Sequence, residues 1–253
     1  MSATPPPRRN GMHAPFDALQ VVSWAVFGGL FVLFYGCELP HAPESLAPWV
    51  GWAYGGAAAL VMALCLVSAL ADPTDGGVLA ERRRRAGAAG AGATGAWQPA
   101  ADAPYCETCC AHVGQRTKHC RICRKCVADF DHHCKWLNTC VGGVNYRPFF
   151  ALLIAACSLT AGQAAVGVAM LLEQSRGVQP SEPRYAAFCG GSGLAAVVVL
   201  ATVLASTAAL AVGQLLGFHT MLRWRGLSTW DWILARRRKK AEQEQRELSL
   251  TAP

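Results

Sequence analysis

A chain of 253 residues in which 53% are hydrophobic and only 15% charged is too apolar for an ordinary soluble protein. Its net charge of +7 arises from 23 Lys and Arg against 16 Asp and Glu. The basic residues stand beside apolar runs, so they are assigned to an anionic membrane surface and not to nucleic acid.

In chain order, residues 1–17 read as a proline-rich N-terminal tail. Residues 18–36, 49–71, 149–172 and roughly 194–218 contain no Asp, Glu, Lys or Arg, and each offers about the 20 apolar residues a helix needs to cross a bilayer. Four such runs argue against buried helices of a soluble core. No cleavable signal peptide is expected, because the first run is longer than a signal core. Apart from His219 at an edge, no run carries an ionisable residue of the kind transporters place inside the membrane.

Eleven Lys and Arg lie between the second and third runs and eight follow the fourth, whereas none lies in residues 37–48. The positive-inside rule then places both termini and the central segment in the cytosol. The expected fold class is an α-helical polytopic membrane protein. It has four transmembrane helices (pairs at 18–71 and 149–218) and, between helices two and three, a small cytosolic cysteine-rich module whose run of thiols from Cys106 to Cys140 marks it as zinc-stabilised. Residues 72–104 read as a basic, Ala/Gly-rich linker, with Pro73 ending the second span and Arg82, Arg83, Arg84 and Arg85 as a solvated basic patch. Residues 105–148 form the module and 219–253 a basic tail.

Eight of the twelve cysteines fall between Cys106 and Cys140. In a reducing compartment clustered thiols mean metal or catalysis and seldom disulfides. Cys37 and Cys189, near predicted lumenal helix ends, either pair or remain isolated interfacial thiols. Within the module the spacing is Cys106-x2-Cys109, His119-Cys120-x2-Cys123-x2-Cys126 and His133-Cys134-x5-Cys140. Short Cys-x2-Cys turns aim two sulfurs at one ion, the arrangement of tetrahedral zinc sites. Eight Cys with His112, His119, His132 and His133 exceed the eight ligands of two closed sites. Some must do other work, and spacing alone does not say which. Asp131-His132-His133-Cys134 gathers a carboxylate, imidazoles and a thiol, the components of an activated nucleophile.

The string from Cys106 through Asn145-Tyr146-Arg147-Pro148-Phe149 closely resembles the cysteine-rich domain of the DHHC protein S-acyltransferases, in the branch with Lys after the motif, here Lys135. The resemblance implies two interleaved structural zinc ions, one at Cys106, Cys109, His119 and Cys126 and the other at Cys120, Cys123, His133 and Cys140. It implies Cys134 as the acylated nucleophile, His132 as its base and Asp131 as the carboxylate that orients the base. Palmitoyl-CoA or another long-chain acyl-CoA is then the donor, and membrane-proximal cytosolic cysteines of proteins are the acceptors. The acyl chain would lie among the spans, and endoplasmic reticulum or Golgi is the expected membrane. Arg223 and Arg225 could attract CoA phosphates, although topology signals account for them equally.

The sequence departs from the family at several points. Gly114 replaces a usual proline, which should loosen the turn before His119. Cys110 and His112 read as bystanders. Asp72-Pro73-Thr74 resembles the family's Asp-Pro-Gly segment. Ser228-Thr229-Trp230-Asp231 resembles its Thr-Thr-x-Glu motif, with Thr229 bracing Asp131, while Ser228 and Asp231 also form a helix capping box. A C-terminal motif of the family finds no match. The rival from another class is a zinc-stabilised membrane adaptor in which Cys134 is inert. A zinc-finger ubiquitin ligase is disfavoured by the ligand spacing.

Overall fold

The computed structural model describes residues 6–87, 97–177 and 192–251. The chain divides into two compact units, one of Ala14–Ala69 with Pro148–Gly217 and the other of Met1–His13, Leu70–Arg147 and Phe218–Pro253.

Four helices are long and apolar enough to cross a membrane, over Ala18–His41, Ala47–Leu70, Tyr146–Ser175 and Gly193–Trp224, and the protein is an integral membrane protein. Helix α1 (Ala18–Leu33) starts where the Asp17 carboxylate accepts the Leu19 N–H at 3.0 Å. It continues through a π-turn at Phe34–Glu38 and a 3-10 turn at Leu39–His41. Helices α2 (Ala47–Leu70), α4 (Tyr146–Ser175) and α5 (Ser192–Trp224) follow from the uncharged runs.

The first helix thus extends past the uncharged run and carries Glu38 inward with it, where its exposure is 0%. This differs from the expectation that the spans lack ionisable groups. The carboxyl is accommodated because Gln163 Nε2 donates to Glu38 Oε2 at 2.9 Å and to Leu30 O at 3.0 Å, while Tyr54 Oη donates to Gln163 Oε1 at 2.9 Å. Phe34 stacks on Tyr54 with ring centroids 3.7 Å apart. Close approach of α4 and α5 requires Gly167, since a Cβ there would come within 2.0 Å of Thr202 Oγ1. Cys37 is disulfide-bonded; Cys189, the partner considered from the sequence, lies outside the described residues.

The other unit is built on three two-stranded antiparallel hairpins, β1 (Tyr105–Cys106) with β2 (Ala111–His112), β3 (Lys118–Cys120) with β4 (Lys125–Val127), and β5 (His132–Cys134) with β6 (Thr139–Val141). Sheets this small bury too little to be stable alone, so something besides the sheets must hold them. The segment before them contributes as well, although the sequence reads it as a linker. Asp75 N donates to Cys126 O at 3.0 Å and Ala128 N to Pro73 O at 3.1 Å, laying this stretch along β4. Asp75 then caps helix α3 (Gly76–Arg85) through Gly77 N at 2.8 Å, and its other oxygen accepts from Thr117 Oγ1 at 2.6 Å and Gly114 N at 3.2 Å. Proline at 114 has no N–H to give, so glycine here ties the turn down where loosening was expected. Gly77 permits the packing of α3, because a Cβ there would meet His112 O at 1.9 Å. Helix α6 (Thr229–Thr251) completes the described elements.

Candidate functional site

Cysteines recur every 14 residues at 106, 120 and 134, and each ends the first strand of a hairpin. Four residues after each, Cys110, Arg124 and Asn138 take positive φ values of 48°, 52° and 54° that reverse the chain. The module is therefore one hairpin used three times. Three residues after the strand-ending cysteine stand Cys109, Cys123 and, in the last copy, Leu137. The register pairs His119 with Cys126 across the second hairpin and His133 with Cys140 across the third.

From this repeat the clusters follow. The tip of the first hairpin, Cys106 and Cys109, meets the cross-strand pair His119 and Cys126 of the second, and the tip Cys120 and Cys123 meets His133 and Cys140 of the third. His119 Nδ1 lies 3.8, 3.4 and 3.7 Å from the sulfurs of Cys106, Cys109 and Cys126. His133 Nδ1 lies 3.9, 3.3 and 3.6 Å from those of Cys120, Cys123 and Cys140. A tetrahedral zinc with bonds of about 2.3 Å to sulfur and about 2.0 Å to nitrogen needs S···N edges of about 3.5 Å. Both clusters fit that ion, and each could hold a metal.

The third tip has no fourth hairpin to complete a site among the described residues. Its cysteine, Cys134, occupies the position of a ligand without the partners of one. Strand alternation explains the division of the tetrapeptide. His133 points to one face of β5 with Cys140 opposite, while His132 and Cys134 point to the other.

On that second face a hydrogen-bond chain converges. His132 Nδ1 donates to Asp131 Oδ2 at 2.7 Å, which commits that nitrogen to the carboxylate and fixes the ring on the strand face it shares with the Cys134 thiol. Asp131, 4% exposed, also accepts from Thr229 N at 2.9 Å (Oδ1) and Thr229 Oγ1 at 2.7 Å (Oδ2). Thr229 is the first residue of α6, so the carboxylate takes an otherwise orphan N–H at a positive helix terminus. Burial opposes ionisation of Asp131, but the bonds from His132 and Thr229 outweigh it and hold the carboxyl below its ordinary range. Burial likewise opposes the imidazolium, yet Asp131 and Cys134 push the His132 pKa up to about 9. The capping box coexists with this brace, Ser228 Oγ donating to Asp231 Oδ2 at 2.7 Å and accepting from Asp231 N at 3.1 Å.

Sequence reasoning left two contributors unassigned. His219, on the last turns of α5 and fully buried, lies with its ring 5.5 Å from that of His132, and its Nδ1 is 3.3 Å from Tyr146 Oη. Although Asp131, His132 and His219 cluster, they are not a metal site. The 2.7 Å between His132 and Asp131 is a hydrogen bond, shorter than the roughly 3.3 Å ligand edge of a tetrahedral ion. The second contributor is the N-terminal segment. Arg8 N donates to Cys123 O at 3.0 Å, and its guanidinium donates to Asn138. Asn138 Nδ2 donates in turn to Gly11 O at 3.2 Å and His13 O at 3.3 Å. Lys125, 1% exposed, reaches Arg9 O at 2.8 Å and Asp72 Oδ1 at 2.6 Å. This part of the N-terminal tail is a strap across the second and third hairpins. Cys110 and His112 are exposed and belong to neither cluster.

A family model described as DHHC palmitoyltransferase matches residues 100–236. The chain is similar to probable protein S-acyltransferase 20 of Arabidopsis thaliana, 41% identical over 140 residues, covering 54% of this chain and 20% of that protein. It is similar to palmitoyltransferase ZDHHC11 of Homo sapiens, 28% identical over 274 residues, covering 94% of this chain and 62% of that one. Probable protein S-acyltransferase 22 of Arabidopsis thaliana is 38% identical over 144 residues, 55% of this chain and 24% of its own length. The chain thus spans less than two thirds of each of these relatives.

Proposed function

Because this chain belongs to the DHHC palmitoyltransferase family, we propose that it is a protein S-acyltransferase. It moves a long-chain acyl group, palmitoyl foremost, from acyl-CoA to cysteines of other proteins through an acyl-enzyme on Cys134. The observation that carries this reading is the strand-ending thiol of the third hairpin, set in a ligand position without a ligand set and sharing its strand face with the head of the His132–Asp131–Thr229 chain.

His132 takes the Cys134 proton, and the sulfur attacks the thioester carbonyl carbon. The bond to CoA breaks, and CoA leaves as the thiol with the proton returned from His132. An acceptor cysteine then attacks the enzyme thioester, His132 again holding its proton, and Cys134 is restored. Asp131 keeps the imidazole in the tautomer and orientation both steps need, and Thr229 keeps Asp131 ionised.

Two zinc ions would be held by Cys106, Cys109, His119 and Cys126, and by Cys120, Cys123, His133 and Cys140. Bound there, they supply cross-links between hairpins and no open coordination position. The distribution of Lys and Arg supports a cytosolic face for the module and both termini, in the membrane of the endoplasmic reticulum or Golgi.

The test is incubation of the purified full chain with labelled palmitoyl-CoA. A hydroxylamine-sensitive adduct is expected on the wild type and none on Cys134→Ser with zinc content unchanged. Labelling that survives Cys134→Ser would leave the adaptor reading standing. Thr229→Val, which removes one hydrogen bond to a charged group worth about 1.5–3 kcal/mol, is expected to slow adduct formation at least tenfold. The same substitution should raise the Asp131 pKa, measurable by NMR titration.

A further inference from the structure

The geometry points to Thr139 as a further catalytic residue, whose hydroxyl donates to the carbonyl oxygen of the thioester as negative charge develops on it. This rests on the acyltransferase reading above. Three observations converge on it.

Thr139 is the direct cross-strand neighbour of Cys134. In an antiparallel pair, directly opposed side chains project to the same face with Cβ atoms about 4.5–5.5 Å apart. The hydroxyl therefore shares the face of β5 and β6 that carries the nucleophile and His132, and lies opposite the face given to His133 and Cys140. Next, Thr139 is completely buried, 0% exposed. Finally, its Oγ1 has no hydrogen-bond partner among the described residues. A buried hydroxyl without a partner is destabilising, and in a folded protein such a group calls for a reason. A donor held ready for an acceptor that arrives only with substrate is such a reason.

The repeat sharpens the contrast. The equivalent positions opposite Cys106 and Cys120 are Ala111 and Lys125. The first has no polar side chain and the second is spent on Asp72 and Arg9. Only opposite the unligated cysteine does the repeat place an uncommitted donor.

In the step itself, Cys134 Sγ forms a bond to the carbonyl carbon and the π pair moves onto oxygen, which accepts the Thr139 O–H hydrogen bond. The pair then returns, the carbon–sulfur bond to CoA breaks, and CoA leaves as the thiol with the proton held on His132. Thr139 ends as it began, with no proton transferred. The oxygen is a better acceptor at the tetrahedral stage than in the planar thioester, so the bond favours the transition state over bound substrate.

The experiment is single-turnover acylation of the full chain with palmitoyl-CoA, comparing Thr139→Val, nearly isosteric but without the hydroxyl, with Thr139→Ser, which keeps it. Thr139→Val is expected to lower the acylation rate constant about 10²-fold, the scale for losing one such donor. The half-saturating acyl-CoA concentration should stay within about twofold and zinc content should be unchanged. Thr139→Ser should recover the rate to within about fivefold of wild type. Acylation by Thr139→Val within threefold of wild type, with zinc intact, overturns the assignment. If valine at this packed position releases zinc, Thr139→Ala carries the same expectation and the same overturning result. Failure of the wild type itself to label at Cys134 would instead sink the acyltransferase reading, so the two failures are separable.

Discussion

His132→Ala is expected to reduce the rate of acyl-enzyme formation by about 10³-fold while leaving both metal clusters intact. The proposed base is held by a carboxylate braced by α6 and shares its strand face with the thiol, and removal of a positioned general base typically costs about 10²–10⁴-fold. His132 is not a member of either metal cluster, and strand alternation turns it away from His133, so zinc content and thermal unfolding of the metal-bound module should change little by comparison. Single-turnover labelling alongside metal analysis reads both quantities. A variant that loses zinc in step with activity would undo the separation of catalytic from ligating residues. The stability effect that does occur has a defined pH dependence. A ring with a folded pKa of about 9 against an ordinary value of 6.5 contributes stability that is complete below about pH 6.5 and lost as pH rises through 9. The gap in Tm between wild type and His132→Ala should therefore narrow from pH 6.5 to pH 9.

Cys123→Ala should do the reverse, removing the metal first and activity as a consequence. Cys123 is fully buried, stands in the second cluster, and its carbonyl accepts the Arg8 N–H of the N-terminal strap. The middle hairpin serves both clusters, giving Cys120 and Cys123 to one and His119 and Cys126 to the other. Loss of one ion therefore loosens the element that holds the second, and zinc content is expected to fall from two per chain toward none. Structural zinc in small peptides is worth about 10–16 kcal/mol of apparent folding free energy at neutral pH, far beyond what three hairpins of two or three residues per strand can replace. Loss of the acyl adduct and early unfolding of the module should accompany it, whereas Cys110→Ala should change neither. Retention of two zinc ions by Cys123→Ala would refute the ligand assignment.

Much of this molecule is legible in its amino-acid order. Length and polarity alone located four spans, because a bilayer imposes a length on any helix that crosses it. The structure departs from that reading at Glu38, which lies buried in the first of these helices. An uncharged run marks where a helix is apolar and says nothing about where it stops, and only the arrival of Gln163 and Tyr54 from other helices makes a buried carboxyl tolerable there. Zinc spacing was equally plain, but the division of ligands between two sites rested on family resemblance. The 14-residue repeat of Cys106, Cys120 and Cys134 is present in the chain and is the signal that sets Cys134 apart from the clustered cysteines without it. The N-terminal strap left no such signal. Its bonds run largely to backbone carbonyls, which are the same whatever the residue, and no side-chain pattern announces them.

The sequence by itself determined the chemistry available to this protein, since the covalent order of apolar runs, thiols and imidazoles settles which groups lie near one another in the chain and which segments must leave water. Tertiary structure decided which of those groups cluster, which are buried and which are hydrogen-bonded. Contacts between residues about a hundred positions apart, Thr229 with Asp131 and His219 beside His132, depend on the path of the folded backbone. The same holds for the burial of Thr139 opposite Cys134. Hydrogen bonds and burial act through space over a few ångströms, and only the folded chain sets those distances.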